Sequence, residues 1–183
     1  MPAARLVALT PYQLGTRLRE ALDLYVTAMG YPQGTAQQRA PMWVDHMSRP
    51  GWRCIAALDQ DDRMLGIAYG YRGAPKQWWH EQVHRGLATV LAPDALLHWL
   101  SDYFELTELH VRPDAQGRGL GESLLRALLA EPLPAARVLL STPEGPSRAW
   151  RLYLRVGFHE LLRDYRFAGD PRKFAVLGRE LPL

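Results

Sequence analysis

The chain has 183 residues, 48% hydrophobic and 22% charged. That suits one compact domain, or one domain with an insertion, argues against two full domains, and lies well away from the composition of disordered chains. A single cysteine, Cys54, excludes an intramolecular disulfide framework and a Cys-rich zinc site, and it agrees with a reducing cytoplasm. A formal charge of +3 is too small to predict nucleic-acid binding, and residues 1–10 lack an export pattern. No apolar run approaches the roughly 18 residues of a membrane span, so the sequence predicts a cytoplasmic protein that partners neither nucleic acid nor membrane.

Residues 5–9 alternate weakly as a strand. After Pro11, the apolar residues Leu14, Leu18, Ala21, Leu22, Tyr25, Val26 and Met29 fall on one face of a helix that Gly30 ends. A shorter helix is predicted over 35–47, closing before Pro50-Gly51. Strand-like runs at 52–58 and 64–71 flank Asp59-Gln60-Asp61-Asp62, a polar cluster of the kind that closes a hairpin. Within 73–101, Trp78, Trp79, His80, Val83 and Leu87, then Pro93, Leu96, Leu97, Trp99 and Leu100, predict two short helices inserted between strands.

In the next strand Phe104 and Leu106 are apolar on one parity and Leu109 and Val111 on the other, the mark of a β-bulge. The strand stops at Pro113, and a glycine-rich turn over 114–121 leads into the helical stripe Leu120, Leu124, Leu125, Leu128 and Leu129. A short buried strand follows at 138–140. Ser147 then caps a helix bearing Ala149, Leu152, Tyr153 and Val156, which Gly157 ends. Residues 161–167 and 174–181 flank Gly169-Asp170-Pro171 as a closing hairpin. This order predicts a mixed α/β layer around one sheet, with a parallel strand pair on either side of the helix after the glycine turn.

The turn Gln116-Gly117-Arg118-Gly119-Leu120-Gly121 fails the dinucleotide fingerprint in both registers, because Glu122 or Leu124 stands where the last glycine belongs; no Gly-Lys-Ser/Thr follows for a Walker loop. What remains is either a plain strand-to-helix turn or a nest of backbone N–H groups at a helix start, suited to a pyrophosphate.

Leu109-His110-Val111-Arg112-Pro113 followed by Gln116 to Gly121 resembles the acyl-CoA motif of the GNAT superfamily of N-acyltransferases, Arg/Gln-x-x-Gly-x-Gly/Ala after a bulged strand. Ala149-Trp150-Arg151-Leu152-Tyr153 and then Gly157-Phe158 is similar to the family's second motif at its usual distance. The resemblance implies a single domain over 1–183 with an insertion at about 73–101, and a GNAT-like, mostly antiparallel central sheet with helices on both faces and the bulged strand splayed at the cofactor site. It also implies acetyl-CoA as co-substrate, with its pyrophosphate on the amides of Gln116, Gly117, Arg118, Gly119, Leu120, Gly121 and Glu122. Pantetheine would lie along Leu109 to Val111, paired as an added strand.

The same resemblance implies direct attack of a primary amine on the thioester, with the Val111 N–H as oxyanion donor and Tyr153 as proton donor to sulfur. For the base, Ser141 stands near where some relatives carry glutamate, and Pro146 stands where many carry asparagine. Glu108 and His110 share a strand parity near the bulge and are the candidates, with Glu105 and Glu144 behind them. Arg118, Arg148, Arg151 and Arg155 could meet phosphates, although the last three also read as a solvated helical stripe. Trp78, Trp79 and Trp99, with His80 and His84, could roof an acceptor pocket or simply pack the insertion. His80-Glu81-x-x-His84 mimics a zincin signature and is read as coincidence, with no metal expected. The acceptor is expected to be a small-molecule amine rather than a protein, and a homodimer is compatible with the sequence. A non-catalytic acyl-CoA-binding regulatory domain is the alternative.

Overall fold

The computed structural model describes residues 4–183; residues 1–3, the start of the segment read for an export pattern, lie outside them. β1 (Arg5–Ala8) leads into α1 (Pro11–Thr16), α2 (Leu18–Met29) and α3 (Thr35–Met47), followed by β2 (Arg53–Leu58) and β3 (Met64–Arg72). Next come α4 (Trp78–Leu87), α5 (Pro93–Leu100), β4 (Tyr103–Val111), a 3-10 turn (Pro113–Ala115) and α6 (Leu120–Leu128). β5 (Arg137–Pro143), α7 (Arg148–Arg155), β6 (His159–Tyr165) and β7 (Phe174–Glu180) complete the chain. Seven strands form one mixed, mostly antiparallel sheet in the order β1-β2-β3-β4-β5-β7-β6. Its parallel pair is β4 with β5, in the register Tyr103↔Arg137, Phe104↔Val138, Glu105↔Leu139.

The chain divides into two compact units interleaved in sequence. One holds the residues up to Tyr71 with Thr107–Ala130, and the other holds Arg72–Leu106 with Glu131–Leu183.

In the first unit, the single helix expected over residues 14–29 is broken at Arg17 (φ −113°, ψ 12°). Thr10 and Gln13 form a capping box that sets α1 independently. The Arg17 N–H closes α1 on Leu14 O at 3.0 Å, and its guanidinium is held by Glu20 at 2.8 Å and by the Asp62 carbonyl. Gly30 ends α2 in the left-handed region, as expected. Asp59 Oδ1 accepts the N–H groups of Asp61 and Arg63, both at 2.9 Å, and so closes the β2–β3 hairpin. Leu14, Leu22, Tyr25 and Trp43 pack on Cys54, Ala56, Met64, Ile67 and Tyr69, each large apolar side chain contributing about 1.5–3 kcal/mol by leaving water. At Gly66 a Cβ would stand 2.8 Å from Leu124 Cδ1 and 3.1 Å from His110 O, so glycine lets β3 lie this close to the end of β4 and to α6 without displacing either.

In the second unit, the insertion forms the two predicted helices, and they are core elements rather than an appendage. Trp79, Val83, Leu87 and Leu100 pack with Tyr103, Leu139, Leu162, Phe167 and Val176. β5 pairs antiparallel with β7, and β7 with β6, where the register shifts twice between Glu160 and Tyr165. Ser147 caps α7 by accepting from Trp150 N at 3.0 Å, as the sequence predicts.

Candidate active site

β4 changes character along its length. Tyr103 to Leu106 are buried on both faces, whereas Thr107 to Val111 are half-buried. The N–H of Arg112, just past the strand, donates to Leu65 O at 2.8 Å. Gln116 Nε2 folds the turn back by donating to Val111 O at 3.0 Å. Gly117 (φ 79°) and Gly119 (φ 77°) then take left-handed conformations that side-chain-bearing residues resist. Gly119 is the residue capping α6, and it brings no side chain to the helix end.

The first α6 amide to close on the turn before it is that of Ser123, which donates to Gly119 O at 3.0 Å. The N–H groups of Leu120 and Gly121 come before it, at the positive end of the helix dipole where a helix start leaves amides without an intrahelical acceptor. A Cβ built on Gly119 would meet nothing within 4 Å beyond its chain neighbours, so the helix start is uncrowded at this position. Glu122, the acidic side chain of the first turn, is paired with Arg126 at 2.9 Å. Arg118 is exposed beside the nest. Backbone amides at an uncrowded helix start fit the pyrophosphate of an acyl-CoA.

Glu108 and His110, two residues apart on one face of β4, meet side by side: Glu108 Oε2 contacts His110 Nε2, with the side chains 13% and 10% exposed. Tyr25 from α2 stands against the imidazole, with ring centroids 5.0 Å apart and an interplanar angle of 67°. Burial, and next the Glu108 charge, push the Tyr25 phenol above its ordinary range, which keeps it protonated. In the sequence Tyr25 reads only as one apolar position of a helical face, and no local signal announces its contact with His110.

Tyr153 lies in the second unit on α7, buried, with its ring 5.5 Å from Phe158. The structure therefore brings Leu109, Val111, Gln116 to Glu122, Glu108 and His110 together in the first unit, and seats Tyr153 in the second with the Phe158 of its own motif.

The other candidates are engaged elsewhere. Glu144 is bound by Arg163 at 2.9 Å and accepts the Asp164 N–H, contacts that hold its carboxyl below the usual range. Glu105 is buried in the β4–β5 ladder. Ser141 accepts the Trp79 indole N–H at 2.9 Å.

Trp79 is buried in the core of the second unit and Trp99 packs against that core, whereas Trp78 is 54% exposed. His80 Nδ1 is hydrogen-bonded to the Tyr103 hydroxyl at 2.9 Å, its ring stacks on His84, and burial lowers its pKa. No third His, Cys, Asp or Glu joins them among the described residues. Arg148, Arg151 and Arg155 are exposed along α7. Cys54 is a buried strand residue whose thiol burial pushes up, far from a nucleophile's range.

A strand tied at its end, a glycine turn and a helix start follow one another here as the sequence resemblance implies, and comparison with known proteins agrees on an acetyltransferase fold. The acetyltransferase (GNAT) domain family matches residues 53–160. The chain is 49% identical, over an alignment of 203 residues spanning 97% of this chain and 98% of the relative, to a GCN5-like protein acetyltransferase of Mycobacterium tuberculosis. The chain belongs to the GNAT acetyltransferase family. Its fold is similar to that of a GNAT-family acetyltransferase from Desulfovibrio desulfuricans, with TM-score 0.68, 16% identity and coverage of 97% of this chain and 99% of that one. It is also similar to the ribosomal-protein-S18-alanine N-acetyltransferase of Escherichia coli, with TM-score 0.65, 17% identity and coverage of 98% and 95%. Among the described residues, no helix is long and apolar enough to cross a membrane.

Proposed function

We propose that the chain is a cytoplasmic, acetyl-CoA-dependent N-acetyltransferase acting on a primary amine by direct attack. The observation that carries the reading is the α6 start, with the amides of Leu120 and Gly121 beside the uncrowded left-handed Gly119. Acetyl-CoA supplies the acyl thioester when bound.

The amides from Gly117 to Glu122 hold the pyrophosphate, and the backbone of Leu109 to Val111 orients the pantetheine arm as a neighbouring strand would. The Val111 N–H stabilises the oxygen that gains charge. His110 takes the proton of the acceptor ammonium, directly or through a water, while Glu108 steadies the resulting imidazolium. Tyr153 donates its hydroxyl proton to the departing sulfur.

The acceptor reading follows two observations. The insertion that suggested a tailored small-molecule pocket is spent on core packing through Trp79, Val83, Leu87 and Leu100. In addition, the relative at 49% identity is described as a protein acetyltransferase. Both favour a protein amine, a lysine or an N-terminus, over a small metabolite.

The test is acetyl transfer from labelled acetyl-CoA to a panel of lysine peptides and small polyamines, with Glu108→Gln and His110→Asn run in parallel. Peptide labelling that falls at least about a hundredfold in both variants supports the reading. Labelling confined to polyamines would return the acceptor to the small-molecule class, and full activity in both variants would remove the pair from the chemistry.

A further inference from the structure

Imidazole rings turn about a broad, nearly two-fold χ2 torsion, so a histidine that must keep one nitrogen on a neighbouring carboxylate needs an outside constraint. Around His110 the described contacts are Glu108 on its own strand, the backbone approach of β3 at Gly66, and the Tyr25 ring.

Tyr25 itself is rigid. It is 5% exposed and sits edge-on to Tyr31 at 5.4 Å and tilted against Trp43 at 5.7 Å. Its helix is stopped at Gly30 by a left-handed cap. The ring therefore reaches β4 from a fixed element, and its geometry on His110, 5.0 Å and 67°, falls in the favoured edge-to-face range for aromatic pairs. Trp43 touches Tyr25 and Tyr69, so it shares the same aromatic cluster while making no ring contact with the histidine.

We propose that Tyr25 is a positioning residue for the Glu108–His110 pair, its ring clamping the imidazole so that Nε2 stays on the Glu108 carboxylate. The proposal deepens the assignment of that pair as the acceptor base, and its test has a readout that does not depend on turnover.

The probe is the downfield proton resonance of the His110 Nε2–H, identified by its loss in His110→Asn, measured in the full chain for wild type, Tyr25→Phe, Tyr25→Leu and Trp43→Phe. The resonance is expected in wild type, in Tyr25→Phe, which keeps the ring, and in Trp43→Phe, which loosens the cluster without touching the histidine. It is expected to broaden or vanish in Tyr25→Leu. With poly-L-lysine and acetyl-CoA as substrates, Tyr25→Leu is expected to lower kcat at least about tenfold with KM for acetyl-CoA within about twofold.

A resonance that survives in Tyr25→Leu overturns the proposal. So does one that is absent from wild type, or one lost equally in Trp43→Phe, which would signal general loosening. Should Glu108→Gln and His110→Asn both keep full turnover while Tyr25→Leu still loses the resonance, the base assignment fails and the clamp stands.

Discussion

Gly119→Ala separates the cost of a backbone conformation from the loss of a ligand. Gly119 has φ 77° and a Cβ there would meet nothing within 4 Å; Gly169, in the turn between β6 and β7, has φ 87° and equally open space. Neither substitution adds a clash, so each pays only the left-handed penalty of an L-residue, about 1–2 kcal/mol. For a chain of this length that lowers the melting temperature by about 2–8 °C, and calorimetry should find both variants in that window. Binding should part them. At position 119 the strain falls on the residue that sets the start of α6, and any relaxation of it turns the amides of Leu120 and Gly121. Titration calorimetry with acetyl-CoA should therefore show at least about a tenfold weaker Kd, or 1.4 kcal/mol, for Gly119→Ala and an unchanged Kd for Gly169→Ala. Equal affinity in the two variants, at equal loss of stability, would reduce the glycine loop to a turn and refute the placement of the pyrophosphate.

Tyr153→Phe should abolish acetyl transfer yet leave acetyl-CoA binding intact in the same titration; an unchanged turnover would remove Tyr153 from the mechanism. Gly73→Ala should be among the costliest alanine substitutions, because a Cβ there would lie 1.9 Å from the ring of Tyr103, which is fully buried and tied to His80. A loss at or beyond the upper end of about 1–3 kcal/mol is expected from guanidinium midpoints, and an unshifted midpoint would mean that the ring repacks freely. His46 is pushed down to about 4 from 6.5, by burial first and by Arg49 next. Between those values the unfolded chain binds the proton and the folded chain does not, so stability is full above pH 6.5 and falls as the pH drops toward 4. The whole gap is worth about 3 kcal/mol. His46→Gln should flatten that acid limb in denaturation curves at pH 7.5 and 5, and an equally steep fall would refute the assignment.

Where structure is decided by neighbours in the chain, the sequence was readable. The bounds of α3, the Asp59 turn, the Ser147 cap on Trp150 and the left-handed stop at Gly30 all follow from short-range hydrogen bonding and glycine's freedom at positive φ. Failures came where a distant residue decides. Leu14 and Leu18 carry the helical period straight across Arg17, and the break there is anchored by the Asp62 carbonyl, 45 positions away. Amphipathic spacing in residues 78–100 announced a buried face but not its partner; that partner proved to be Leu139, Leu162 and Val176 of later strands.

The same distinction runs through the site. The proposed donor half consists of contiguous residues, the strand end at Leu109 to Val111 and the loop to Glu122, whose turn rests on the left-handed conformations of Gly117 and Gly119. Such a half can be read from a short stretch of sequence. Glu108 and His110 were visible as a pair because strand residues two apart share a face, and the structure adds that their side chains meet. What surrounds them comes from elsewhere: the ring of Tyr25 arrives from α2 and the backbone of Gly66 from β3. Acceptor recognition must be assembled from surfaces of this second kind, so an inserted segment read by itself carries less about an acceptor than a contiguous loop carries about a donor. Trp79 is held in the core with its indole N–H donating to Ser141 Oγ, so what that ring announces in the sequence is packing before recognition.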